Sequence, residues 1–136
     1  MVMDEAIFSD LFAKSERLKG EAGKREKKRF LYFEIEKQLG KTQAMHGIAG
    51  LRGVGKTITL LQLANKMADS IYVSSEELLL RSVSFYDFIA YCKQKGFTNI
   101  FLDEVHLYPE WALELKASHD EGGAKLFFSA ITIPAC

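Results

Sequence analysis

One octapeptide constrains this chain more than any other feature: Gly50-Leu51-Arg52-Gly53-Val54-Gly55-Lys56-Thr57. It meets the pattern GxxxxGK[ST] in full, at Gly50, Gly55, Lys56 and Thr57. Its glycines permit backbone conformations closed to other residues, so several N–H groups can converge on one anion. The helix that starts behind such a loop adds the positive end of its dipole. The loop therefore needs a buried strand before it and a helix after it. Residues 44–49 (Ala-Met-His-Gly-Ile-Ala) are a short apolar run that stops at glycine, which suits that strand. A helix is predicted to begin near Lys56, with Leu60, Leu61, Leu63, Ala64 and Met67 on its apolar side. The pattern assigns Lys56 to the β- and γ-phosphates of a nucleotide and the Thr57 hydroxyl to Mg²⁺. Gly50, Arg52, Gly53, Val54, Gly55 and Ile58 are the expected remainder of the phosphate cradle. The competing reading is an ordinary Gly-rich turn.

What lies downstream weighs against that reading. Ile100-Phe101-Leu102-Asp103-Glu104 is an apolar strand that ends in two carboxylates. An acidic residue at the end of a buried strand is what a Mg²⁺ site needs, and Asp103 is expected to hold the metal, usually through water. Glu104 is a candidate general base for polarising an attacking water. Such a pair is weak evidence alone and strong evidence when it follows a phosphate-binding loop. A fourth apolar strand ends at Ser129, whose hydroxyl is a candidate to sit beside the γ-phosphate and hold the water; Thr132 is a second candidate. That Ser129 merely ends a strand is an equal alternative.

The remaining pattern places these motifs on one frame. Residues 4–19 read as a helix carrying Ile7, Phe8, Leu11, Phe12 and Leu18, with Gly20 as its stop and 20–24 as a flexible joint. A second helix is predicted from about Arg25 to Leu39, closed by Gly40. Residues 70–74 (Ser-Ile-Tyr-Val-Ser) read as a strand. Ser84 with Asp87 forms a capping box that opens a helix bearing Phe85, Phe88, Ile89 and Cys92, with Gly96 past its end. Strands are predicted at 98–103 and 124–130, separated by a helix from Pro109 to about Ser118 and a turn at Gly122-Gly123. Apolar strands alternating with helices imply an α/β fold, a parallel sheet covered on both faces. The expected division is a helical segment over 1–40 and a P-loop core over 41–136.

Composition excludes several classes. Lys plus Arg and Asp plus Glu are 18 each, so net charge points to no general nucleic-acid or membrane partner. Two cysteines, Cys92 and Cys136, make neither a CxxC pair nor a disulfide framework, and a reducing compartment is expected. With no leader-like start and no long apolar run, the expectation is a cytoplasmic protein. Bland readings are favoured for four other features. These are His106 as a surface histidine, His46 as a satisfied core histidine, Trp111 and Leu115 as packing, and the basic run from Lys24 to Arg29 as a solvated helix start.

Residues 25–133 resemble a large prokaryotic group of AAA-type P-loop ATPases, whose longer members add a C-terminal domain of unknown function. The resemblance rests on the octapeptide, on Tyr72-Val73-Ser74, and above all on Phe101-Leu102-Asp103-Glu104-Val105-His106-Leu107-Tyr108-Pro109-Glu110-Trp111. It implies a three-layer P-loop NTPase core with sheet order 5-1-4-3-2, ATP with Mg²⁺ as ligand, and the roles above for Lys56, Thr57, Asp103 and Glu104. Members usually carry Thr-Gly-Ser-Ser or similar after strand 4, where this chain has Ser129-Ala130-Ile131-Thr132. They also continue well past the point where this sequence stops. The expectation is therefore four strands in order 1-4-3-2, with strand 1 at an exposed edge. The last arginine is Arg81, so no arginine finger follows Glu104, and Arg52 is a remote substitute. Three functions follow: a slow Mg-dependent ATPase, an inactive remnant that binds nucleotide weakly, or a helicase fragment suggested by Asp103-Glu104-Val105-His106. Helicases use an uninterrupted Ser-Ala-Thr, which Ile131 breaks here. GTP is disfavoured by the absence of an Asn-Lys-x-Asp motif. A homo-oligomer, or a partner supplying lid and arginine, is an open expectation.

Overall fold

Four short parallel strands run side by side in the computed structural model, which describes residues 3–24, 45–50 and 55–131. They are β1 (His46–Gly50), β2 (Ser70–Ser74), β3 (Asn99–Asp103) and β4 (Lys125–Ile131), in the order β1-β4-β3-β2. This is the order expected from the sequence. Among the described residues β1 pairs with β4 and β2 with β3, so these two strands form the borders.

Alternation along each strand builds two cores. Ile71, Val73, Ile100, Leu102, Leu126 and Ala130 face one side. There they meet Phe85, Phe88, Ile89 and Cys92 of α4 (Phe85–Gln94) and Leu115 of α5 (Trp111–Glu121). Ile48, Tyr72, Phe101 and Phe127 face the other side, under Leu60, Leu61, Leu63 and Ala64 of α2 (Lys56–Lys66). Phe101 and Phe127 stack at 4.3 Å, which joins β3 to β4 on this face. A parallel sheet covered on both faces requires such continuous apolar strands.

The N-terminal helix α1 (Glu5–Gly23) starts at Asp4, whose side chain accepts from the Ile7 N–H at 2.9 Å. Its buried stripe is Phe8, Leu11, Ser15, Lys19 and Ala22, a spacing of one helical face that includes two polar residues. The polar pair covers the border of β2. The Tyr72 N–H donates to Ser15 Oγ at 2.9 Å, and Lys19 Nζ donates to the Ser70 carbonyl at 3.0 Å and to its Oγ at 3.1 Å. A strand edge carries unpaired backbone groups, and α1 satisfies these two with side chains. This packing explains a departure from the sequence expectation. Gly20 does not stop the helix and 20–24 is not a loose joint, because buried Lys19 and Ala22 hold the final turns down to Gly23. The predicted second helix, the basic run beyond Lys24 and Cys136 lie outside the described residues.

Smaller differences have local causes. α3 (Ser75–Leu80) is a short helix with no periodic signal in sequence, capped by Ser74 Oγ, which accepts from the Glu76 N–H. Pro109 precedes α5 rather than opening it, since a 3₁₀ turn at Val105–Leu107 intervenes. α5 also runs past Ser118 to Glu121. The capping box holds as expected, with Ser84 Oγ accepting from the Asp87 N–H at 3.1 Å. Trp111 and Leu115 do pack, Trp111 against Phe128 at 5.6 Å. His46 is a core residue stacked on Phe127 at 5.3 Å, but its buried Nε2 has no hydrogen-bond partner, so it is not satisfied.

Two glycines of opposite meaning test this packing. A Cβ at Gly20 meets nothing within 4 Å, so Gly20→Ala is expected to raise unfolding free energy by about 0.5–1 kcal/mol. A Cβ at Gly47 falls 2.4 Å from the Phe128 ring, so Gly47→Ala is expected to lower it by about 1–3 kcal/mol. Urea titration of both variants reads the two signs. His46 provides a pH test. Burial, then the charge of Lys125, lower its pKa from 6.5. The unfolded chain then binds the proton more readily, so stability is full above pH 6.5 and falls as pH drops below it. Melting temperature followed on acidification is expected to fall less steeply in His46→Leu than in the native chain; parallel curves contradict it.

Candidate functional site

The carboxyl ends of β1, β3 and β4 and the start of α2 meet at one edge of the sheet. In open parallel sheets this is the edge at which ligands bind. A cavity of about 210 Å³ opens there, lined by Gly55, Lys56, Thr57, Ile58, Asp103, Glu104, Ser129 and Ile131. Seven of those eight residues are ones the sequence singles out. Gly50 ends β1 opposite Ile131. Arg52, Gly53, Val54 and Thr132 lie outside the described residues. A larger cavity of about 580 Å³ sits by Thr98, Asn99 and Lys125, at the amino ends of the strands. Neither the expected anion-binding helix start nor a carboxylate lines it.

Local geometry explains how each side chain arrives. Gly55 has φ 78, a left-handed conformation that suits glycine, and it turns the chain into α2. Lys56 and Thr57 are then the first two residues of that helix. Lys56 is 8% exposed. Asp103 closes β3 on the same face as Phe101 and is 3% exposed. β4 runs alongside in a register that pairs Leu102 with Phe128, which brings fully buried Ser129 beside Asp103.

The Asp103 carboxylate is held by three hydroxyls from three elements. Thr57 of α2 donates to Oδ2 at 2.7 Å, Tyr72 of β2 donates to Oδ2 at 2.5 Å, and Ser129 of β4 donates to Oδ1. Its backbone carbonyl accepts from Ser75 Oγ at 2.7 Å. Burial, and then the adjacent Asp103 charge, push the Tyr72 phenol far above its ordinary pKa, which keeps it a donor.

Glu104 follows in a left-handed backbone conformation, φ 55 and ψ 48, that few non-glycine residues adopt. Its N–H donates to Ser129 Oγ at 2.8 Å. Ser129 thus reaches both carboxylate residues and does more than end a strand. The turn after Glu104 is tied back to β4, because His106 Nδ1 accepts from the Ile131 N–H at 3.1 Å. His106 is half-buried and has this structural partner, unlike the surface histidine expected. Arg81 pairs with Glu77, which also meets Lys14.

Sequence reasoning missed Tyr72, Ser75 and the His106 contact. Tyr72 could have been found from strand parity. Its phenol is a polar tip between apolar Ile71 and Val73, and it shares a face with Asp103 once β2 lies next to β3. Ser75 opens the short helix α3 and His106 lies in the 3₁₀ turn, and neither contact leaves a periodic trace.

A parallel sheet in the order β1-β4-β3-β2, flanked by helices and carrying this edge site, is the core of a P-loop NTPase-like α/β domain. Residues 42–130 match the family model described as AAA domain, and the chain belongs to that family of nucleotide-binding, ATPase-type domains. No curated protein matches the chain. Among the described residues no helix is long and apolar enough to cross a membrane.

The backbone at Glu104 generates its own test. A left-handed non-glycine residue costs about 1 kcal/mol or more. Glu104→Gly is expected to raise the urea midpoint by a corresponding amount. An unchanged or lower midpoint means the conformation carries no strain.

Proposed function

We propose that this chain binds ATP with Mg²⁺ and hydrolyses it slowly to ADP and phosphate. The observation that carries this reading is the meeting of Lys56, Thr57, Asp103, Glu104 and Ser129 around one cavity, in a chain of the AAA family. Lys56, at the start of α2, is assigned to the β- and γ-phosphates, where the helix dipole adds to its charge. Gly50, Arg52, Gly53, Val54, Gly55, Thr57 and Ile58 are assigned to the rest of the phosphate cradle.

The donor set suits a hard cation. Thr57 and Asp103 supply hydroxyl and carboxylate oxygens, the ligands Mg²⁺ takes in small number beside phosphate and water. Among the described residues no three His, Cys, Asp or Glu side chains converge into a softer metal site. Bound Mg²⁺ would neutralise phosphate charge in the transition state. Glu104 is assigned the general base, with its backbone held on Ser129 so that its carboxylate stays at the cavity. Ser129 is the polar residue that keeps Asp103 and Glu104 in mutual register. Slow turnover follows from charge. Among the described residues no arginine lines the cavity to stabilise the transferring phosphoryl group, and Arg81 is engaged with Glu77. The division we propose is a helical segment over 1–40 and a P-loop core over 41–136 that carries the nucleotide site. A partner copy or protein supplying an arginine fits this site, and a cytoplasmic setting fits its ligand.

Calorimetric titration with Mg-ATP and a phosphate-release assay test the reading together. Lys56→Ala is expected to lose most nucleotide affinity. Glu104→Gln is expected to keep it while turnover falls by about 10²-fold or more. Unchanged binding and turnover in Lys56→Ala overturn the site assignment. A native chain that millimolar Mg-ATP fails to stabilise is instead the inactive remnant.

A further inference from the structure

We infer that Tyr72 is a positioning residue for the metal-facing carboxylate, and that α1 seats it. This rests on the Mg-nucleotide reading above and goes beyond it, since neither the P-loop pattern nor the acidic strand end includes a residue of β2.

Three observations converge on Tyr72. Its ring is buried in the core beneath α2, beside Phe101 of the neighbouring strand, so it has one available direction. Its hydroxyl donates to Asp103 Oδ2 at 2.5 Å. Its backbone N–H is fixed from the outer side by Ser15 Oγ at 2.9 Å, so the residue is gripped at both ends. The line Ser15–Tyr72–Asp103 therefore runs from the N-terminal helix, through the border strand, to the nucleotide site.

The other two donors to Asp103 have second duties. Thr57 must offer its oxygen to the cation, and Ser129 Oγ also accepts the Glu104 N–H. Tyr72 is the donor that can keep Asp103 in place while the others respond to ligand. An ionised carboxylate has about four acceptor positions, and three are taken here by hydroxyls. Among the described residues that leaves about one to face the cavity. A carboxylate so occupied suits an outer-sphere role, oriented toward a water on the cation. Partners behind a metal-facing ligand commonly set affinity by 10–100-fold.

The experiment separates positioning from bulk stability. ATP affinity of the full chain is measured in EDTA and in saturating Mg²⁺, for the native chain and Tyr72→Phe, which lacks only the hydroxyl. Tyr72→Phe is expected to bind ATP as the native chain does in EDTA, while the tightening brought by Mg²⁺ shrinks by about tenfold. Tyr72→Met, also without a hydroxyl, repeats the comparison should phenylalanine impair folding. Equal tightening in variant and native chain overturns the role of Tyr72 alone. Equal loss with and without Mg²⁺ assigns Tyr72 to structure only and also overturns it. A native chain that Mg²⁺ does not tighten overturns the Mg-nucleotide reading, and this inference falls with it.

Discussion

The Asp103 carboxylate is the point on which the sheet's carboxyl edge depends. An almost fully buried charge is expensive unless it is satisfied. Here hydroxyls of Thr57, Tyr72 and Ser129 satisfy it from three separate elements. A hydrogen bond to a charged group contributes about 1.5–3 kcal/mol, so these contacts offset a burial cost that apolar packing could not. They also fix geometry. The helix that bears Lys56, the border strand β2 and the strand that bears Ser129 are each tied to one atom pair. The stability of this edge and the shape of the cavity are therefore one property.

The same economy governs the opposite side of β2. Ser15 and Lys19 are polar residues in a buried helical stripe, which is unfavourable on hydrophobic grounds alone. Their position is explained by the strand edge they meet, where Tyr72 N–H and the Ser70 carbonyl need partners. Apolar residues in their place would leave those backbone groups unpaired at a cost of about 1–3 kcal/mol each. α1 is thus part of the sheet's covering in the described residues, and its register against β2 reaches the site through Tyr72.

How much was legible in the sequence follows from how local each signal is. Gly55, Lys56 and Thr57 sit where a fixed spacing puts them, because a phosphate loop admits little variation. The four strands follow from apolar runs that a covered parallel sheet requires, and their order from the family resemblance. Ser84 announces α4 because a capping box is a contact between near neighbours. The misses are contacts between residues far apart in sequence. Gly20 ends a helix in isolation, but burial of Ala22 carries α1 past it. His106 meets β4, and His46 loses its partner, only once the strands are assembled. Tyr72 is only one residue of a predicted strand until β2 is placed beside β3, when its hydroxyl becomes part of the site.

The central claim is that Mg-nucleotide binds at the edge where Thr57, Asp103 and Ser129 meet. Paramagnetic broadening tests it most directly. The amide spectrum of labelled chain is recorded with ATP while Mn²⁺ replaces Mg²⁺. The account predicts selective loss of the Thr57, Asp103 and Ser129 signals, with Thr98 and Lys125 at the amino end of the sheet unaffected. Broadening centred on Thr98 and Lys125, or uniform weak broadening independent of ATP, would contradict it.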